Sequence, residues 1–398
     1  MVRTLFPPSR ADALGRLSHF TPRAAQPYAF GRNTDPGPDH QGAVSKLSPY
    51  LRYRIVSEQE VVSQVLAEHS LTAAETFLQE VLWRSYWKGW LEMRPSVWLR
   101  FLEERNEGRE SFPDQRAILA AEQGLTGIDC FDFWARELVE TGYLHNHARM
   151  WFASIWIFTL RLPWALGADF FLRHLLDADA ASNTLSWRWV AGLQTVAKTY
   201  LATAENISRF TNGRFAPKGL AQEAVALSEA PVGAAKDLRP LHAYDRSKHA
   251  LLLITHEDMH PESLFAKSDG IESAVFANDR DLLWGDAAGD FITPCADETA
   301  ARVSANFGCR SDVIGKLDAD GLIEAARKND LKQIVTAYAP VGPVADKLAQ
   351  LAPTLAAEGI ALVEIRHHWD SAFWPHAKKG FFPFKEQIPT LLREIGLI

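Results

Sequence analysis

The segments TGYLHNHARMW (residues 141–151) and FFLRHLLDADAASNTLSWRW (residues 170–189) decide how this sequence is interpreted. An apolar stretch that contains tryptophan and runs to Trp164 lies between them. Amides and charges among so many aromatic side chains are costly in a core unless they are paired or bound to a ligand. The two segments therefore predict a site for a polar, flat ligand, lined by Asn146, Arg149, Asp177, Asp179 and Asn183.

Tryptophan is concentrated around the same segments. Ten of the 13 tryptophans lie between Trp83 and Trp189. Leu and Ile fill a core without an N–H group to satisfy, so packing alone does not require this density. Electron transfer or the stacking of bases would use it.

Size and composition predict a globular protein of two or three domains, since the chain has 398 residues, of which 47% are hydrophobic and 23% charged. The cysteines are too few and too scattered for a disulfide framework or a zinc cluster, and Cys130, Cys295 and Cys309 are interpreted as buried or incidental thiols. The sequence has no apolar run long enough for a membrane span, and its first residues lack an apolar signal region. We therefore expect no membrane contact and a cytoplasmic location.

The net charge of −7 is uneven along the chain. Residues 1–215 hold 23 Lys and Arg against 23 Asp and Glu, whereas residues 216–398 hold 19 against 26. Of the 23 basic residues in the first part, 20 are Arg, which suits phosphate contacts and stacking. Genomic bias explains an Arg-rich composition equally well, so the charge permits a nucleic-acid partner without requiring one.

The first part of the chain is interpreted as helical after an extended arm. Residues 1–40 are rich in Pro, Gly and Asn, with one expected helix at Arg10–Leu17. Ser45 and Ser48 precede helices, where a hydroxyl group either caps the helix or helps to hold an anion; from the stretch alone, capping is favoured. Further helices are predicted after Ser70 and over FDFWARELVET, which ends before Gly142.

After Phe215 the pattern changes to that of an α/β protein. Apolar runs at 250–255, 273–278, 333–339 and 361–366 are interpreted as buried strands that alternate with helices, which indicates a parallel sheet. The predicted fold is thus an all-helical domain (1–215), a linker (216–248) and a smaller Rossmann-like parallel α/β domain (249–398).

HEDMH (residues 256–260) matches the zinc-peptidase pattern but is not expected to bind zinc. The pattern places its two histidines together only on a helix, whereas this copy follows a strand and precedes Pro261. His145 and His147 flank Asn146 and point to different faces, so packing is favoured over metal binding there as well.

HNHARM (145–150), DADAASN (177–183) and SWRW (186–189) together resemble the FAD-binding domain of the DNA photolyase/cryptochrome family. In that family an HN-x-x-R-M helix, a D-x-D-x-x-x-N segment and a W-x-W pair follow in this order. The resemblance extends back to E-x-x-W-R at Glu80–Arg84 and to SKLSPYLR (45–52), and it covers residues 25–200.

The resemblance implies a U-shaped FAD in the helical domain. Positions that hold the diphosphate and adjoining groups are matched by Tyr28, Ser45, Leu47 and Ser48, and another cofactor-side position by Arg84. The ion pair beside the flavin ring is matched by Arg149 and Asp177, a neighbouring polar contact by Asp179, and the residue that faces flavin N5 by Asn183.

The resemblance also implies a lesion site for a flipped-out pyrimidine dimer. The matching residues are Glu80, Trp83, Asn146, Met150 and Trp189, with Asn146 near the cofactor too. Trp offers a stacking face and Glu an acceptor for a base edge. Animal-type (6-4) enzymes carry His at the position of Asn146, so the cyclobutane lesion is favoured.

The implied activity is light-driven electron transfer from reduced FAD to the dimer in DNA. Trp187 and Trp164 match the proximal and middle members of the chain that photoreduces the flavin. The distal position is Ala121, which leaves Trp134, Trp151 and Trp156 as alternative donors. His147 replaces an Arg that would meet a DNA phosphate.

The α/β half is similar to the antenna domain that ordinarily precedes the FAD domain. The similar segments are HALLLITHEDMHPESL (249–264), residues 342–370 and GFFPFKEQIP (380–389). A circular permutation is inferred, with an unrelated α/β domain as the alternative, and no dedicated antenna-pigment motif is recognised.

Repair of cyclobutane dimers is the leading prediction. The alternatives are a blue-light receptor that signals through a partner protein and a flavin-binding relative with neither activity.

Overall fold

The computed structural model describes residues 5–398, so the first four residues of the expected N-terminal arm lie outside it. Helices occupy the chain through Phe210, and a parallel sheet begins at Ala250. Residues 211–249 contain no helix or strand in the described structure. The predicted fold class is confirmed, whereas the predicted domain boundaries remain predictions.

Twelve α-helices precede the sheet in the described part of the chain. They are α1 (Arg10–Phe20), α2 (Gln26–Gly31), α3 (Ser48–Arg52), α4 (Glu58–Glu68), α5 (Leu71–Glu92), α6 (Ser96–Ser111), α7 (Gln115–Glu122), α8 (Asp129–Thr141), α9 (Asn146–Ser154), α10 (Trp164–His174), α11 (Ala180–Val190) and α12 (Ala204–Phe210). A π-helical turn at Ile155–Thr159 continues α9.

The expected extended arm over residues 1–40 is wrong for the described residues, because α1 and α2 occupy much of it. The side chain of Ser9 accepts a hydrogen bond from the backbone N–H of Asp12 and caps α1. Leu17 and Phe20, one turn apart on α1, are buried in the core. Burial of this apolar face stabilises the helix despite the surrounding Pro and Gly.

Helix α5 is central to the helical part, since α2, α4, α11 and the C-terminal helices all contact it. Ser70 caps its first turn. Gly89 allows the closest of these approaches, because a Cβ atom there would lie 2.7 Å from Cα of Trp374. The C-terminal part of the chain therefore packs directly on the helix that carries Glu80, Trp83 and Arg84.

Five parallel strands form the sheet, in the order β3-β2-β1-β4-β5. They are β1 (Ala250–Ile254), β2 (Ile271–Ala277), β3 (Arg310–Ile314), β4 (Gln333–Ala337) and β5 (Ala361–Ile365). The flanking helices are α13 (Asp286–Phe307), α14 (Ala319–Arg327), α15 (Pro343–Ala357), α16 (His368–Phe373) and α17 (Phe381–Glu394). Strand β3 was missed because RSDVI lies at a half-exposed edge and lacks the continuous apolar run of a central strand.

HEDMH forms a turn after β1, so the expectation that no helix presents its histidines is confirmed. The carboxylate of Glu257 instead accepts two hydrogen bonds from the buried guanidinium of Arg52, both at 2.8 Å. Nε of Arg52 also donates to the carbonyl of Ala178, between Asp177 and Asp179. The end of the sheet is thereby connected to the segment that carries two predicted cofactor ligands.

Candidate functional site

A cavity of about 1120 Å³ lies between α2, α3, α5, α9 and α11. All but two of the predicted site residues line it: Tyr28, Ser45, Leu47, Ser48, Glu80, Trp83, Arg84, Asn146, Arg149, Met150, Asp177, Asn183, Trp187 and Trp189. Asp177, Asn183 and Trp187 are buried, whereas Trp83 and Trp189 are half-buried and Asn146 is exposed. The cavity thus has a polar inner end and an aromatic mouth.

An ion pair forms part of the inner wall. Nη1 and Nη2 of Arg149 donate to the two carboxylate oxygens of Asp177 at 3.0 and 2.9 Å, and Nε of Arg149 donates to the carbonyl of Leu144 at 2.9 Å. Burial disfavours the charged form of Asp177, but the guanidinium of Arg149 and the hydroxyl of Ser48 outweigh it and lower the pKa of Asp177. The carboxylate is therefore held ionised at a fixed place in the wall.

The favoured interpretation of Ser45 and Ser48 as helix caps is wrong. Helix α3 begins at Ser48 itself, and its N-cap residue is Leu47, which provides no side-chain cap. The hydroxyl of Ser48 instead helps to lower the pKa of Asp177. Both serines line the cavity, and this leaves them beside whatever ligand it holds.

Asn183 lies at the buried end of the cavity on α11. Its Nδ2 group donates to the carbonyl of Ala168 at 2.8 Å. This bond fixes the amide plane and leaves Oδ1 as the group with which a ligand N–H can bond.

Asp179 and Trp164 do not line the cavity. The carboxylate of Asp179 accepts from the backbone N–H groups of Ala181 and Ser182 and caps α11. It also pairs with Nη1 of Arg84 at 2.9 Å. Nε1 of Trp164 donates to the carboxylate of Glu104 at 2.7 Å, on the far side of α10. Asp179 therefore supports cavity residues from behind, and its predicted contact with the cofactor remains a prediction.

Trp187 is buried against α10 beside Gly167. A Cβ atom at Gly167 would lie 2.3 Å from the Trp187 ring, so only glycine fits this contact. Among residues 5–398, Nε1 of Trp187 has no hydrogen-bond partner. The Trp156 ring lies edge-on to it with 6.2 Å between centroids, whereas Ala121, at the distal position, is fully buried. Trp156 is thus an aromatic neighbour of Trp187.

The mouth of the cavity contains two contacts that the sequence did not indicate. The carboxylate of Glu80 forms an ion pair with the guanidinium of Arg32, both about one-third exposed. The ring of Trp83 stacks on that of Phe381, with 3.6 Å between centroids and 10° between planes. Phe381 begins α17, nearly 300 residues after Trp83, so no local pattern could have revealed the contact.

His147 is neutral in its surroundings and is not poised to hold a phosphate. Burial is the main cause that lowers its pKa. Nδ1 lies 2.9 Å from the carbonyl of Asn33, and Nε2 lies 3.3 Å from the hydroxyl of Tyr200. Both ring nitrogens therefore make contacts within the protein. A neutral His at this position also lacks the positive charge of the Arg that the resemblance leads us to expect.

The cavity wall is strongly basic although the whole chain has a net charge of −7. Its acidic side chains are Glu80 and Asp177, and both are paired with Arg. The basic side chains are Arg32, Lys46, Arg84, Arg94, Arg149, Lys198, Lys378 and Lys379. Eight cations against two anions favour a polyanionic ligand.

Comparison with known proteins supports the interpretation of this cavity as a cofactor site. Residues 77–218 match a family model described as the FAD binding domain of DNA photolyase. The chain carries a photolyase-type FAD-binding domain.

Two relatives of the photolyase-type FAD-binding domain are both named deoxyribodipyrimidine photo-lyase. A deoxyribodipyrimidine photo-lyase from Alkalihalophilus pseudofirmus is 33% identical over 189 residues, which are 47% of this chain and 39% of that protein. One from Streptomyces griseus is 37% identical over 153 residues, or 38% of this chain and 33% of that protein. The chain therefore spans under two-fifths of the length of these relatives.

A solved structure also matches. The crystal structure of a bacterial class III photolyase from Agrobacterium tumefaciens is 28% identical, with a TM-score of 0.45, over 52% of this chain and 44% of that one.

No helix in residues 5–398 is both long and apolar enough to cross a membrane.

The residues of the photolyase-type FAD-binding domain fit FAD, the cofactor of this family. The cavity exceeds the roughly 300–1,000 Å³ of ordinary small-molecule sites, as a dinucleotide requires. Within the described chain, the buried atoms Ser182 Oγ, Trp187 Nε1 and Gln194 Oε1 of its wall lack hydrogen-bond partners. Such orphaned groups are expected where a polar ligand completes the bonding.

A smaller cavity behind Tyr143 holds the buried carboxyl of Glu137. Burial is the main cause that raises the pKa of Glu137 to about 8, and the nearby Asp35 raises it too. The cations of Arg214 and Lys46 lower this pKa but do not outweigh burial. Asp39 raises it further, and His145 also lines this cavity. Glu137 is therefore protonated in the folded protein at neutral pH.

We expect Glu137→Gln to remove one source of pH-dependent stability. The folded state keeps a proton that unfolded Glu137 releases, so this contribution is full below pH 4.5 and is lost as the pH rises through about 8. The free energy of unfolding of Glu137→Gln minus that of the parent should rise by up to about 1.4 kcal/mol per pH unit in this window. Urea unfolding from pH 4 to 9 measures it; a difference that does not change with pH would refute the assignment.

Proposed function

We propose that this chain uses bound FAD to split cyclobutane pyrimidine dimers in DNA in the light. The observation that carries the proposal is that one cavity joins a buried polar end, at Arg149, Asp177 and Asn183, to a half-exposed aromatic mouth. A flavin needs the former, and a flipped base that enters from solvent needs the latter. The basic wall supports a ligand that carries phosphates.

Bound FAD would supply the light-driven electron that opens the dimer. The protein residues supply placement and electrostatics. Oδ1 of Asn183 is available to accept from a ring N–H, because its Nδ2 is bonded to Ala168. Arg149, held by Asp177 and Leu144, presents its charge at a fixed position beside the ring.

At the mouth, Trp83 and Trp189 would hold the dimer by stacking. Trp189 itself stacks on Tyr200 with centroids 5.7 Å apart, and Trp83 on Phe381, so both indoles are held in place from one side. The carboxylate of Glu80 would accept a hydrogen bond from the edge of the base. Its pairing with Arg32 at the mouth helps to keep it ionised despite the burial that raises its pKa.

A blue-light receptor that signals through a partner protein is the second candidate. The observation that favours it is His147, whose two ring nitrogens are used inside the protein where the family's repair enzymes would place an Arg at DNA. A receptor would keep the flavin and Trp187 but would leave dimers unrepaired. Repair activity therefore separates the two candidates.

Glu80→Gln is expected to reduce light-dependent dimer repair at least tenfold while the bound flavin keeps its spectrum. The carboxylate, paired with Arg32, is the proposed acceptor, and hydrogen bonds to charged groups contribute about 1.5–3 kcal/mol. The assay is chromatographic counting of restored pyrimidines after illumination of the reduced protein with dimer-containing oligonucleotide. Glu75→Gln, an exposed change on the same helix, is the matched control. Equal repair by the parent and Glu80→Gln would remove Glu80 from the lesion site.

Trp187→Phe is expected to slow light-driven reduction of the bound flavin at least tenfold, since Trp187 is the most deeply buried of the indoles in the cavity wall. Trp156→Phe and Trp164→Phe identify the next member, because the Trp156 ring neighbours Trp187 whereas the Trp164 ring packs on Phe101 of α6. Absorbance after a light flash measures the rate. Parental kinetics in Trp187→Phe would show that electrons arrive by another route.

A further inference from the structure

The segment KKGFF (residues 378–382) at the start of α17 lines the cavity, and its Phe381 stacks on Trp83 at the mouth. It belongs to the α/β half of the chain, whose residues were not expected in the site. All five of its residues line the cavity. The mouth therefore contains a wall that the helical part alone does not provide.

Side chains of α5 and of the short turn after it hold this segment. The hydroxyl of Tyr86 donates to the carbonyl of Lys379, and Nη2 of Arg94 donates to the carbonyl of Lys378, each at 2.8 Å. The ring of Phe381 is buried against Trp83. The backbone is thus fixed relative to the aromatic mouth, and the segment can act as a preformed contact surface.

The side chains that project from this fixed backbone are free. Lys378 and Lys379 are exposed, and within the described structure neither ammonium group pairs with a carboxylate. Phe382 is 78% exposed although it is a large apolar side chain beside a cavity. Lys198, in the loop that follows α11, also lines the cavity and is exposed. Exposed cations without a carboxylate partner in the described residues, together with an exposed aromatic ring, match a phosphate backbone with unstacked bases.

Resting on the proposed repair function, we infer that residues 378–382 are a DNA-binding element of this chain. Lys378 and Lys379 contact phosphates beside the lesion, and Phe382 enters the gap that the flipped dimer leaves in the duplex. An apolar side chain that fills such a gap compensates for lost base stacking. The occupant is duplex DNA, because a single strand has no gap for Phe382 to fill.

The test is dark binding of flavin-loaded protein to three oligonucleotides: a duplex with one cyclobutane dimer, the same duplex undamaged, and the dimer-containing single strand. Phe382→Ala is expected to weaken binding of the damaged duplex by about tenfold or more, as expected for loss of one aromatic stack. Binding of the single strand should change less than about twofold, because a single strand has no gap for Phe382 to fill. Phe30→Ala, which removes an equally exposed ring outside the cavity wall, is the control.

Lys378→Ala combined with Lys379→Ala is expected to weaken damaged and undamaged duplex alike. The slope of log K against log salt concentration should become shallower by about 1.8, since each phosphate contact contributes about 0.9. Lys328→Ala with Lys332→Ala, both exposed on the α/β half, is the control.

The outcomes separate this inference from the proposed function. A parent protein that repairs dimers, with both variants binding every oligonucleotide as the parent does, overturns the inference alone. A parent that repairs no dimer in the light overturns the proposed function. In that case the phosphate contacts are still tested by binding to undamaged duplex. They are refuted if the slope of log K against log salt concentration is the same for the double lysine variant as for the parent.

Discussion

Arg149→Met is expected to empty the cavity of flavin and to lower the free energy of unfolding by about 3 kcal/mol. The substitution removes three hydrogen bonds and leaves the carboxylate of Asp177, which is 6% exposed, without its cation. Breaking one side of a buried pair costs about 3–5 kcal/mol, and the partial exposure of Arg149 places this case at the lower end. Flavin absorbance of the purified protein and urea unfolding measure the two effects.

A double variant separates the two effects of Arg149→Met. Adding Asp177→Asn removes the unpaired charge, so it should restore most of the stability without restoring the flavin. Arg116→Met, at an exposed position on α7, is the control for loss of an Arg. Full flavin occupancy in the stable double variant would show that the pair only supports the fold.

Glu257→Ala is expected to lower the free energy of unfolding by about 3–5 kcal/mol. The guanidinium of Arg52 is 4% exposed and would lose both of its 2.8 Å bonds to the carboxylate. Since Nε of Arg52 holds the carbonyl of Ala178, looser flavin binding should accompany the loss. Thermal unfolding of the flavin-loaded protein and the flavin dissociation constant measure the change.

Two further variants make the Glu257 prediction decisive. Arg52→Met combined with Glu257→Leu replaces the buried pair by apolar side chains, which is often neutral, so it should recover much of the stability. Glu272→Ala removes an exposed ion pair with His249 and should change stability by less than about 1 kcal/mol. Parental stability in Glu257→Ala would show that the contact between the sheet end and α3 contributes little.

The sequence predicted the helical and α/β halves, the parallel sheet and most of the cavity wall. Arg149 and Asp177 were paired correctly, because the motifs that contain them occur in a fixed order. Asp179 also caps α11, and an Asp directly before a predicted helix is a capping signal that could have indicated this. Strand β3 was missed because an edge strand needs no continuous apolar run.

The mouth of the cavity could not be predicted from the sequence. Arg32 and Phe381 contact Glu80 and Trp83 from positions 48 and nearly 300 residues away, and local periodicity does not report such tertiary contacts. The inferred circular permutation and the assignment of an antenna pigment remain predictions. The roles of individual site residues are proposals that the substitutions above test.

The most direct test of the central claim is illumination of the reduced, flavin-loaded protein with an oligonucleotide that contains one cyclobutane pyrimidine dimer. Restored pyrimidines are counted by chromatography against a dark control. The account predicts loss of dimer in the light only, with many dimers split per protein molecule. A protein that holds one flavin per chain and splits no dimer in the light would contradict it.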